Sequence, residues 1–172
     1  MLGSPDRPLL FLDVDGPLIP FGAPDLRPGG HLGDRAVPLP IGANPLLSRI
    51  DPRHGPRLSA LPCDLVWATT WMADANEVIG PLLGLPELPV VDWPDSEEKS
   101  PLHWKTRGLV DWAAGRSFVW VDDEITDPDR AWVSAHHHGQ ALLHRIDPRR
   151  GLTHTDFVVI ADWLARRSRS GR

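Results

Sequence analysis

Apolar residues come along this chain in short blocks, separated by stretches in which they recur at helical spacing. Leu9-Leu-Phe-Leu12, Leu65-Val-Trp-Ala68, Leu88-Pro-Val-Val91, Phe118-Val-Trp-Val121 and Ala141-Leu-Leu-His144 are the blocks. Each is too short for a buried helix and predicts a strand. Between them, Met72, Ala75, Val78, Ile79 and Leu82 predict a helix over 71–83. Leu109, Val110 and Trp112 predict a second over 104–114, with Gly115 as its stop. Further helices are predicted over 128–137 and 156–166, and a short one over 44–50 within the weakly periodic stretch 20–62. Strands alternating with helices imply an α/β fold, a mainly parallel sheet flanked by helices. In such sheets ligands bind beyond the carboxyl ends of the strands.

That rule makes the strand ends the place to look for chemistry. The first strand releases Asp13, Asp15 and Gly16, the second Thr69 and Thr70, and the fourth Asp122 and Asp123. Lys105 stands at the start of the intervening helix, within reach of the same rim. Taken one at a time these residues have plainer readings: a polar turn for the Asp-x-Asp, a helix cap for either threonine, a solvated surface charge for the lysine. Together they do not. Four carboxylates on one rim repel one another and are costly to desolvate without a cation. Clustered carboxylate oxygens are the ligands a hard ion such as Mg²⁺ prefers. The set predicts a divalent metal and an anionic ligand.

In these motifs and their order the sequence resembles the haloacid dehalogenase (HAD) superfamily of phosphohydrolases. Phe11-Leu-Asp-Val-Asp-Gly-Pro-Leu18 matches the family's first motif and Leu65-Val-Trp-Ala-Thr-Thr70 its second. Lys105 before a helix matches the third, and Val119-Trp-Val-Asp-Asp123 the fourth. The resemblance implies a HAD-like Rossmannoid fold and a Mg²⁺-dependent phosphomonoesterase working through an aspartyl-phosphate. It implies Asp13 as nucleophile and Asp15 as general acid and then base. Thr69, with Thr70 as helper, Lys105 and the backbone at Gly16 would bind the phosphoryl group. The metal would be held by Asp13, Asp15 and Asp123, with Asp122 in support or exchanging roles with Asp123. Pro17 departs from the usual small or β-branched residue and stiffens the turn. Asp127 is read as either a contact to metal-bound water or a helix cap. Carbon–halogen displacement needs neither the metal nor the second acid, so dehalogenation is disfavoured.

Composition narrows the picture. A chain of 172 residues suits one domain over 1–172, long enough to bury a core. Between the first two motifs, 16–64 reads as a Pro/Gly-rich insert or lid, and a substrate-selecting cap is expected to be minimal or absent. A net charge of −5 argues against broad attraction to nucleic acid or membranes. One cysteine, Cys63, excludes an internal disulfide framework. No segment has the length and apolarity of a membrane span or signal core, so a cytoplasmic protein is expected. The basic end, Arg166 to Arg172, is expected to be a flexible tail, with weak nucleic-acid contact as the minority reading. His136-His-His138 reads as a polar helix end, and His31, His54, His103, His144 and His154 as structural or surface residues. Tryptophans such as Trp112 and Trp120 are expected to pack. The expected substrate is a phosphorylated small molecule or nucleotide. The alternatives are a phosphatase for nucleic-acid ends and a weakly catalytic binding module that keeps the fold. Oligomeric state is invisible in the sequence.

Overall fold

A computed structural model describes residues 4–22, 42–93 and 99–170, with backbone alone beyond 167. Strands β1 (Leu9–Leu12), β2 (Asp64–Trp67), β3 (Phe118–Asp122) and β4 (Ala141–Arg145) form one all-parallel sheet in the order β2-β1-β3-β4. Every residue of β1 and β3 is buried. Strands covered on both faces have no polar side to show, which is why both read as unbroken apolar runs. In the register, Leu12 lies opposite Trp67 on one side and Val121 on the other. Three strands therefore end level, and whatever follows each one emerges at a single edge.

The helices are α1 (His54–Ser59), α2 (Gly80–Leu83), α3 (Thr106–Ala113), α4 (Asp127–His136) and α5 (His154–Ser170). On one face of the sheet Leu10, Leu12, Val119 and Val121 pack with Leu58, Ile79 and Leu83 and with Phe157, Ile160 and Leu164 of α5. On the other, Leu9, Phe11, Phe118 and Trp120 pack with Leu109 and Ala113 of α3 and Val133 of α4. Full burial of each large side chain stabilises by roughly 1.5–3 kcal/mol. This is the α/β architecture the apolar blocks predicted. Cys63, just ahead of β2 at the opposite end of the sheet from the acids, is buried, and burial pushes its thiol up to about 12.

Several elements differ from expectation. Leu88–Val91 is not a strand: Val90 makes one bridge to Trp67, through Trp67 N–H to Pro89 O and Val91 N–H to Trp67 O. Pro89 has no amide to extend the ladder. The helix expected over 71–83 is broken into turns, with Met72 at φ 51°, a π-helical turn over Ala75–Ile79, and then α2. Pro81 is the physical reason, because it cannot donate to the carbonyl four residues back and crowds it. Gly80 N–H instead reaches Ala75 O, five residues back. The short helix at 44–50 is a 3₁₀ turn, Pro45–Arg49. α1 lies inside the stretch read as irregular and buries Leu58. α3 begins at Thr106 and ends on a left-handed Ala114 just before Gly115. α5 continues to Ser170, past the expected end at Arg166. Residues 23–41 of the proposed lid and the last two residues of the tail lie outside the described residues, as does His31. Among the described residues no helix is long and apolar enough to cross a membrane.

Candidate active site

The chain leaves β1 still tied to the sheet, with Asp13 N–H donating to Val121 O at 3.1 Å. It then folds back at once. Val14 O accepts from Leu18 N–H and Ile19 N–H, both at 3.0 Å, and Gly16 N–H donates to Ile19 O at 3.0 Å. Gly16 holds φ at +101°, and a Cβ there would lie 2.6 Å from Asp123 Cγ. Only glycine lets the first turn pass directly under the Asp123 carboxylate.

Lys105 occupies the N-cap position of α3 and is 3% exposed. Its Nζ lies 3.1 Å from Asp13 Oδ1 and 2.8 Å from Asp122 Oδ2. Asp122 is fully buried, and both of its oxygens are engaged. Oδ2 also accepts from Trp120 Nε1 at 3.3 Å, and Oδ1 accepts from Glu124 N–H at 3.0 Å. Asp123 is only half buried. One carboxylate oxygen from each of Asp13, Asp122 and Asp123 lies within 4.8 Å of the others.

The electrostatics follow from this crowding. Burial, opposed by Lys105 and reinforced by Asp122, pushes the Asp13 carboxyl up to about 7. Burial together with Asp122 pushes Asp123 up to about 6. Burial would lower Lys105, but Asp13 and Asp122 outweigh it and hold the ammonium charged. One cation serving two of three clustered carboxylates leaves the group short of positive charge. A hard divalent ion fits that oxygen set and that deficit.

Asp15 stands a little apart, its Oδ2 accepting from Trp71 Nε1 at 3.1 Å. Thr69 is buried at the end of β2. Its Oγ1 accepts from Trp71 N–H at 3.2 Å, and its carbonyl accepts from Trp93 Nε1 at 3.3 Å. Thr70 beside it is exposed. The residues picked out from sequence thus divide into a tight group, Asp13, Lys105, Asp122 and Asp123, and a flank of Asp15, Gly16, Thr69 and Thr70.

Two further residues beside the site are His103, read from sequence as structural or surface, and Asp129, which the sequence does not single out. His103 Nδ1 accepts from Lys105 N–H at 3.2 Å, and its Nε2 lies 3.0 Å from Glu124 Oε2. Asp129 is buried and binds both ends of the surrounding scaffold. It accepts from His103 N–H ahead of α3 and Thr106 Oγ1 at its first residue, and from Thr126 N–H and Oγ1 in a capping box at α4. Thr126-x-x-Asp129 carries the capping signal, but nothing in it announces the second attachment. Asp127 heads α4 with its side chain 99% exposed, 3.4 Å from Arg130. Of the two readings offered for it the cap belongs to Thr126.

Residues 9–157 match a family model described as the HAD domain in Swiss Army Knife RNA repair proteins. No curated protein and no solved structure matches the chain. The family match runs from β1 into α5 and takes in all four segments that build the site. The chain belongs to this family of HAD domains.

Proposed function

We propose that the protein is a Mg²⁺-dependent phosphomonoesterase that works through an aspartyl-phosphate on Asp13. The observation that carries the reading is the Asp13–Lys105–Asp122 pairing beside Asp123 at the level ends of the strands. Asp13 and Asp123 would hold the ion by side chain and Asp15 by its backbone carbonyl. Asp122, with both oxygens already engaged, suits a supporting place. When bound, the ion supplies positive charge that lowers repulsion between carboxylate and phosphate.

The chain's own groups divide the remaining work. An ionised Asp13 oxygen attacks phosphorus and the bond to the leaving alkoxide breaks. Asp15, kept in place by the Trp71 indole, gives that alkoxide its proton. It then takes a proton from the water that attacks the aspartyl-phosphate, releasing inorganic phosphate and restoring Asp13. Lys105 offsets charge on the transferring oxygens, and the Thr69 hydroxyl can donate to one of them. The family's association with RNA repair supports phosphorylated nucleic-acid ends as the substrate class.

Hydrolysis of p-nitrophenyl phosphate, with and without Mg²⁺, tests the reading. Turnover is expected with the ion, at background in Asp13→Asn, and reduced about 10²–10⁴-fold in Asp15→Asn. Turnover without Mg²⁺, or full activity in Asp13→Asn, would sink it. A folded protein with no turnover at all would favour a binding module.

A further inference from the structure

Trp104 is 49% exposed, although the residue after it, Lys105, is among the most buried charged groups in the molecule. Single exposed apolar side chains are ordinary on protein surfaces. Trp104 differs in what holds it and in what lies beside it. Its indole packs edge-to-face on Trp93, with centroids 4.9 Å apart, and stacks with His103 at 5.5 Å. Trp93 is fixed in turn by its hydrogen bond to the Thr69 carbonyl at the end of β2. His103 is fixed by Lys105 N–H and Glu124. An aromatic surface half open to solvent is thus held in place by two neighbours, each tied to a segment that carries the phosphate site. Lys105 Nζ, the group assigned to the transferring phosphoryl, lies 5.4 Å from the centre of the Trp104 ring.

We propose that Trp104 is a nucleobase-stacking subsite, which receives the base of the nucleotide whose phosphate is removed at Asp13. The inference rests on the phosphatase reading above and names the substrate chemistry for it. Stacking is suited to this task because every base has a π face, so the subsite would accept any of the four bases. A rigid, pre-placed indole also loses little freedom on binding, which is where much affinity is otherwise spent. Trp104 would position the substrate and touch no reacting atom.

The test compares kcat/KM on three substrates under Mg²⁺: a mononucleotide, a short oligonucleotide with a phosphorylated end, and the same oligonucleotide lacking its terminal base. Base-bearing ends are expected to be preferred over the abasic end. In Trp104→Ala that preference should shrink by about 5- to 150-fold, the range of a base–aromatic stack. Trp104→Phe should keep most of it. The ratio between substrates is the readout, so a general disturbance of Lys105 cancels. A preference unchanged in Trp104→Ala, or absent from the wild type, overturns the subsite. Preference for the oligonucleotide over the mononucleotide places the base on a strand end, whereas equal preference places it on free nucleotides; either supports the stack. The two readings are kept apart by equilibrium binding of the same oligonucleotides to Asp13→Asn. Loss of base discrimination there on adding Trp104→Ala upholds the subsite even if the wild type turns nothing over.

Discussion

Lys105 carries a double load, because one ammonium faces two buried carboxylates. With Asp13 at 3.1 Å and Asp122 at 2.8 Å, removing the ammonium leaves both acids without their cation. Breaking a buried pair in this way costs about 3–5 kcal/mol. Lys105→Met is therefore expected to fold less stably by about that amount near neutral pH. The cost should be smaller in acid, since Asp13, already pushed up to about 7, takes up a proton and sheds its charge. Urea midpoints measured at about pH 5 and about pH 8 check this, and equal losses at the two would refute it. The same residue shows how function and stability share one contact. The charge that would offset a transferring phosphoryl also keeps the empty-handed site from repelling itself.

Asp129 makes the corresponding case for the elements. Its carboxylate joins the approach to α3 to the cap of α4, the helix that follows the Asp122–Asp123 pair. Burial would raise its pKa, but hydrogen bonds from Thr126, Thr106 and His103 outweigh burial and lower it. A lowered carboxyl contributes stability above its unfolded value and loses it as pH falls through the folded one. Asp129→Ala is expected to cost about 1–3 kcal/mol near neutral pH and to lower turnover by shifting Lys105, with the stability cost fading in acid. Thermal melts across pH, paired with kcat, check it; normal kcat with a normal melt would show that the tie is idle. This element-level tie is also where sequence reading stops. The buried runs of β1 and β3, and the acids that end them, are legible because burial on both faces leaves an unbroken apolar signature. Periodicity overstates the helix over 71–83, because it registers Ala75, Val78, Ile79 and Leu82 but not the carbonyl that Pro81 displaces. Leu88–Val91 has the composition of a strand and lacks only an amide at Pro89. Strand ends and a helix start suffice to place Asp13, Asp122 and Lys105 on one rim. Trp71, Trp93, His103 and Asp129 reach that rim through contacts between segments distant in sequence, which no local pattern encodes.

For the molecule as a whole, the acid cluster is expected to set how stability responds to pH and, on the proposed function, to Mg²⁺. Asp13 at about 7 and Asp123 at about 6 both start from 3.8 in the unfolded chain. Between those limits the folded, metal-free protein binds more protons than the unfolded one. These two groups therefore make it less stable as pH rises from about 4 to about 7, and level above that. Mg²⁺ is expected to reverse the trend, adding about 2.7 kcal/mol at a hundredfold excess over its dissociation constant. The gain should be larger above pH 7 than at about pH 5, where protons compete for the same oxygens. Melting curves in Mg²⁺ and in chelator check this, and superimposable curves would exclude a metal at the cluster. Cys63 supplies an independent clock for such experiments. It is the chain's one thiol, buried ahead of β2, with its ionisation pushed up to about 12. With the thiol so nearly buried and so hard to ionise, an alkylating reagent is expected to label it slowly while the fold is intact. The rate of labelling thus reports on the integrity of the fold, independently of turnover at the other end of the sheet. A variant that has lost turnover and labels as slowly as the parent has lost its chemistry; one that labels fast has lost its fold.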